Sequence, residues 1–213
     1  MSLKVLAIST AALVLSTAVT APVAEAAIVG YTTRVSFGTA VSGLTTVVEG
    51  WDAYVLDTAI ADGSTLNGIT YDFASGTGLV TDDYLTLSSP HGLGKTPGAF
   101  FGGTESVTFS FAVPIVAFGI NINTFATTAG AYSLTTNLAD IAASGFNPFP
   151  GQGTGQFVGL VSDTPLTSIT LSPVSGFTYT LDDLTYAPVP EPGTLALLGA
   201  GLASLAARRR RAV

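Results

Sequence analysis

From Ser106 to Phe111 the chain alternates as S-V-T-F-S-F, which sets Val107, Phe109 and Phe111 on one face of an extended segment and Thr108 and Ser110 on the other. Ile115 to Asn123 repeats the pattern, with Val116, Phe118, Ile120 and Ile122 on one face and Asn121 and Asn123 opposite. Proline cannot donate to a β-ladder, so these runs are predicted as neighbouring strands joined or bent at Pro114. The same reading picks out Ile69 to Phe73, Tyr84 to Leu87, Ala131 to Thr136, Gln156 to Val161, Leu166 to Leu171 and Thr178 to Tyr186. Loops rich in Gly and Pro, "SSPHGLGKTPGAFFGG" and "GFNPFPGQGTG", separate them, and at most a turn of helix is expected near Asn137 to Ser144. About eight short strands and no internal repeat predict an all-β body, a single antiparallel β-sandwich or jelly roll over residues 27–187.

One strand breaks its own pattern. Phe177, Tyr179 and Leu181 are apolar at odd positions, whereas Leu184 and Tyr186 are apolar at even ones, so the alternation slips by one residue at Asp182-Asp183. A β-bulge there resolves the slip and re-aims the two carboxylates, which cannot both be buried without partners. Either they face solvent or accept backbone N–H groups, or one of them ligates a hard cation: Ca²⁺ takes oxygen ligands at about 2.3–2.6 Å in flexible geometry. Asp57, Asp62, Asp82 and Asp83 are weaker candidates, because turns favour Asp for local hydrogen bonding alone.

The ends of the chain follow other patterns. Lys4 precedes an apolar stretch from Val5 to Val19, and Ala24-Glu25-Ala26 fits the small-x-small cleavage rule, so residues 1–26 read as a signal peptide leaving Ala27 first. Gly193 to Ala207 is fifteen residues without charge, about 22 Å as a helix and short for a stable span. Arg208, Arg209, Arg210 and Arg211 follow at once and act as a stop-transfer cluster that stays cytoplasmic. The chain is thus expected to be a β-body flanked by an N-terminal signal helix and a short C-terminal hydrophobic helix, exported from the cytoplasm.

Composition narrows the chemistry. Only 10% of residues are charged, against about 25% in average soluble proteins. Cysteine is absent, which excludes disulfides, thiolate metal sites and thiol nucleophiles. Residues 27–187 hold twelve acids against two bases, Arg34 and Lys95, hence −10, a balance that repels nucleic acid. His91 is the sole histidine, in a loop with Ser88 and Ser89 but without a G-x-S-x-G elbow. Carboxylate pairs such as Glu49 with Asp52, or Asp82 with Glu105, suggest glycoside hydrolysis only if their separation fits. No catalytic residues are assigned, and the body is expected not to be an enzyme.

Val189-Pro190-Glu191-Pro192-Gly193, followed by the short apolar segment and the Arg run, resembles the PEP-CTERM sorting domain of Gram-negative bacteria over residues 188–213. The resemblance implies recognition of Pro190, Glu191 and Pro192 by exosortase, a membrane transpeptidase, with loss of the tail. It further implies only transient membrane anchoring and delivery to the cell surface or an exopolysaccharide-rich extracellular matrix. The prolines suit a substrate, since they keep the segment extended. The body also resembles ectodomains of this sorting class through "GAFFGG", "VPIVAFGINI", "GQFVGLVSDTPLTSITL" and "TYTLDDLTY". Sandwich domains similar to this one sometimes carry a structural Ca²⁺ beside the last strand. Two functions follow as expectations: a structural or adhesive surface protein, or a lectin-like module using Trp51, Tyr54 or Tyr71 as stacking platforms.

Overall fold

The computed structural model describes residues 27–83, 88, 90–124, 131–138, 140–143, 154–175 and 177–189. In chain order these form β1 (Ile28–Tyr31), α1 (Arg34–Ala40), β2 (Val47–Glu49), β3 (Ala59–Ile60), β4 (Thr65–Leu66), β5 (Ile69–Phe73) and β6 (Gly78–Thr81). β7 (Gly92–Lys95), β8 (Val107–Thr124), β9 (Ala131–Thr136), β10 (Asp140–Ala143), β11 (Thr154–Ser175) and β12 (Tyr179–Pro188) follow. Among the described residues the fold is all-β with one short helix, and every strand pairing is antiparallel.

Two long strands organise it. β8 and β11 pair along most of their length, with register breaks between Val161 and Leu166 and between Leu166 and Ser168. On one side of the break, Val107–Phe111 of β8 pairs with β5, and the end of β11 pairs with β9, which carries β10. On the other side, the second half of β8 pairs with β12, and β12 with β7 and β2. β1 lies along β11 there, while β6 and β3 extend the sheet beyond β7. Ring contacts of Phe118 with Phe109 and Phe111, at 5.8 and 6.3 Å between centroids, show that the two halves of β8 meet across the core. One hydrophobic cluster accordingly contains residues from both halves.

The predicted runs at Ser106–Phe111 and Ile115–Asn123 are therefore a single strand, with exposed Ala112, Val113 and Pro114 where the ladder with β11 is broken. Val116, expected on the core face, packs instead with Ala117 beside α1, while Ile115 faces the main core. The runs at 156–161 and 166–171 likewise merge into β11. Where a turn of helix was expected near Asn137–Ser144, Asp140–Ala143 pairs with β9, because backbone groups at the end of β9 gain ladder partners there. The predicted strand Tyr84–Leu87 lies outside the described residues, as do the signal peptide at 1–26 and everything from Pro190 onward.

Aromatic residues fill the core as a connected row. Trp51 meets Tyr71, Tyr71 meets Phe73, Phe73 meets Phe101, Phe101 stacks on Tyr179 at 5.0 Å, and Tyr132 meets Tyr179 edge-on at 5.4 Å. Each such pair contributes about 0.5–1.5 kcal/mol beyond area burial. Trp51 and Tyr71 are wholly buried in this row, which removes them as stacking platforms for a ligand. Burial also pushes the Tyr71 hydroxyl upward, further raised by the nearby Glu49 carboxylate. Tyr54 is half-buried, its hydroxyl accepting from Asn67 Nδ2 at 2.9 Å.

Candidate functional site

Helix α1 lies outside the main core, and one side chain places it. Phe37, almost fully buried, packs 5.4 Å from the Phe157 ring and 6.1 Å from Tyr31. It reaches the sheet because Gly119 of β8 and Gly159 of β11 are cross-strand partners. A Cβ on Gly119 would stand 2.6 Å from the Phe157 ring and 3.0 Å from that of Phe37; one on Gly159 would stand 2.9 and 3.0 Å from them. Thr33 closes the helix start, its Oγ1 accepting the Ser36 N–H at 3.2 Å. The segment Arg34–Ala40 has β-branched residues and a central glycine, a poor helix by propensity, so packing of Phe37 and Val41 decides its conformation.

Between α1, the turn after it, β2 and β12 lies a cleft of about 320 Å³. Phe37, Val41, Leu44 and Val48 give it apolar walls, and Ser42, Thr46 and Thr185 add hydroxyls. Arg34 is its one charged side chain. The guanidinium is held by several partners: Nε donates to Asn121 Oδ1 at 3.2 Å, Nη1 to Thr185 Oγ1 at 3.3 Å, and Nη2 to the Asp183 carbonyl at 2.7 Å. The Asp183 carboxylate lies 3.7 Å from Nη2, and the Phe157 ring centroid 5.5 Å from Cζ. Burial lowers the pKa of Arg34, opposed by Asp183 and Asp182, and a guanidinium stays charged through such a shift.

The acceptors on Asp183 are aimed by the β12 bulge. Register with β8 shifts between Asp182 and Thr185, and Asp183 has φ of 50°, the left-handed region that Asp tolerates better than most residues. The slip legible at Asp182-Asp183 is thus a real irregularity of the ladder. Asp182, 1% exposed, accepts from Ser88 Oγ at 2.6 Å and from the Asp183 N–H at 2.7 Å. Asp183 Oδ2 accepts from Asn121 Nδ2 at 2.8 Å. Carboxylate oxygens of Asp52, Asp182 and Asp183 converge on Gly50, within 3.2, 3.8 and 3.8 Å of where a Cβ would stand. Yet among the described residues no group of three or more His, Asp or Glu side chains is placed to hold a metal ion. For Asp182 and Asp183 the geometry supports internal hydrogen bonding, with Arg34 as the counter-charge.

The remaining candidates are dispersed. The His91 N–H donates to Asp52 Oδ1 at 2.9 Å, whereas Ser88 bonds to Asp182, so no hydrogen bond joins Ser88 to His91; Ser89 lies outside the described residues. Glu49, buried, accepts from the Trp51 N–H at 2.9 Å and Asn67 Nδ2 at 2.6 Å. Glu105 pairs with the buried Lys95, which also donates to Ser75. Burial alone would push the Glu105 carboxyl up, but Lys95 and the Gly102 N–H together hold it below the usual range. Asp62 accepts the Phe73 N–H at 2.8 Å, and Asp57, at φ 65°, occupies a turn. The cleft itself was missed by sequence reasoning; its one signal was Arg34, a rare base in an acidic body.

Of the sorting residues only Val189 is described, its N–H donating to the Pro114 carbonyl at 2.8 Å; Pro190, Glu191, Pro192, Gly193 and Arg208 to Arg211 lie outside. Among the described residues no helix is long and apolar enough to cross a membrane. The profile of the PEP-CTERM protein-sorting motif matches residues 188–211. No curated protein matches the chain. Among solved structures, the chain is similar to a family 11 carbohydrate-binding module from Clostridium thermocellum in complex with a β-1,3-1,4-mixed-linked tetrasaccharide. That likeness has a TM-score of 0.34 and 8% identity over 66% of this chain and 100% of that one. A second is the catalytic domain of a GH87 α-1,3-glucanase in complex with tetrasaccharides, at TM-score 0.33 and 13% identity over 62% of this chain and 30% of that one. At these scores the likeness bears on neither architecture in detail nor ligand.

Proposed function

We propose, from the premise that this chain carries a PEP-CTERM sorting motif, that it is an exported protein handled by exosortase at its C-terminal end. The signal peptide is removed, the tail holds the chain briefly at the inner membrane, and a transpeptidase processes it at Pro190-Glu191-Pro192. The body, residues 27–187, then serves at the cell surface or in an exopolysaccharide-rich matrix as a non-catalytic structural or adhesive β-sandwich. The observation that carries this reading is the match at residues 188–211. The end of β12 supports it: the last strand runs to Pro188, the residue at which the matched motif begins. A second reading, a carbohydrate-binding module, is favoured by the cleft beneath α1.

Intact-mass analysis of protein recovered from exporting cells tests the first reading. Wild type should begin at Ala27 and lack the apolar tail, and Glu191→Ala should retain it. A wild-type mass that still contains Arg208 to Arg211 would make the tail a plain anchor and overturn the proposal.

A further inference from the structure

Gly38 sits in the middle of α1 and lines the cleft, yet nothing among the described residues calls for a glycine there. A Cβ at this position would meet no heavy atom within 4 Å, and the backbone is not in the left-handed region. Glycine is a poor helix former, and a helix of seven residues can spare little. The room left by the missing side chain belongs to the cleft. At its rim the hydroxyls of exposed Ser42 and Thr46 make no side-chain hydrogen bond among the described residues, and Val48 is 57% exposed.

We propose that this cleft binds one neutral hexose unit of a glycan. The inference deepens the second reading of the body, a carbohydrate-binding module, on which it rests. Three features select the ligand class. Apolar walls from Val41, Leu44 and Val48 suit the C–H face of a sugar ring, and the hydroxyls supply both donors and acceptors for its polar edge. The Arg34 charge is already met by Asp183, and the body is strongly acidic, so an anionic ligand is disfavoured. The volume of about 320 Å³ lies at the small end of ligand pockets, which suits a single ring rather than a long chain. An acyl chain would bury the guanidinium edge and hydroxyls without partners. Arg34, fixed by Asn121, Thr185 and Asp183, gives the cleft a preorganised wall.

The test is saturation-transfer NMR on the full chain as purified, with methyl glycosides of glucose, galactose, mannose and N-acetylglucosamine, and with glucuronate and octanoate for comparison. At least one neutral glycoside should bind wild type. Gly38→Leu should lose that binding at least tenfold while melting no lower than wild type, since leucine favours helix and fills open space. No neutral glycoside bound, binding undiminished in Gly38→Leu, or binding by glucuronate or octanoate alone would each overturn the proposal. Processing at the Pro-Glu-Pro motif, read separately by intact mass, is unaffected by any of these outcomes.

Discussion

Arg34 shows how one residue can tie three elements together. Its guanidinium, on the first turn of α1, meets Asn121 on β8 and Asp183 and Thr185 on β12. Removing it leaves the Asn121 amide oxygen and the Asp183 carbonyl without their charged donor and the Asp183 carboxylate without its counter-charge, so Arg34→Ala should lower unfolding free energy by about 2 kcal/mol. Arg34→Lys should recover less than half of that, because an ammonium cannot present the planar fork that spans these acceptors. Urea denaturation of the three proteins checks this, and equal stability of wild type and Arg34→Ala would deny the guanidinium its role. The slip at Asp182-Asp183 was legible beforehand, since alternation is a local property of the chain. That Arg34 would answer it across about 150 positions was not.

Among the elements, two strands keep their predicted spans, Ile69–Phe73 and Ala131–Thr136, whereas the alternating runs at 106–111 and 115–123 are joined in β8. α1 went unread because its residues favour helix weakly and its burial comes from a Gly119–Gly159 slot built by two distant strands. β7, with the sequence Gly92-Leu93-Gly94-Lys95, offers no alternation, yet all four residues are buried. Lys95 from this strand is paired by Glu105 from the loop preceding β8, and that pair makes stability depend on acid. The folded-state pKa of Glu105 is lowered, so its contribution is complete above the unfolded value of about 4.3 and is lost as pH falls through the lower folded value. Melting temperatures measured from about pH 6 to about pH 3 should therefore fall less steeply for Glu105→Gln than for wild type. Parallel curves would show that Lys95 gains nothing from the charge of Glu105.

At the scale of the whole molecule, the twelve acids of the body raise the question of a stabilising cation. The carboxylates nearest the β12 bulge already receive Ser88, Asn121 and the Asp183 N–H as donors, with the Arg34 guanidinium 3.7 Å away as counter-charge. EDTA should accordingly leave the melting temperature of the purified protein unmoved, and a drop restored by Ca²⁺ would reinstate the cation at Asp182 and Asp183. What the sequence determined by itself is whatever depends on neighbours along the chain. Period-2 alternation set the all-β class, a one-residue slip located the bulge, and contiguous motifs at 188–211 identified the sorting signal. Only the tertiary structure decided that β8 and β11 are continuous and doubled across one core, that Trp51 and Tyr71 are interior, and that α1 closes a cleft over β12. The reason is physical: burial and hydrogen-bond satisfaction are settled by contacts between segments far apart in sequence, and alternation records which face turns inward without saying what it meets.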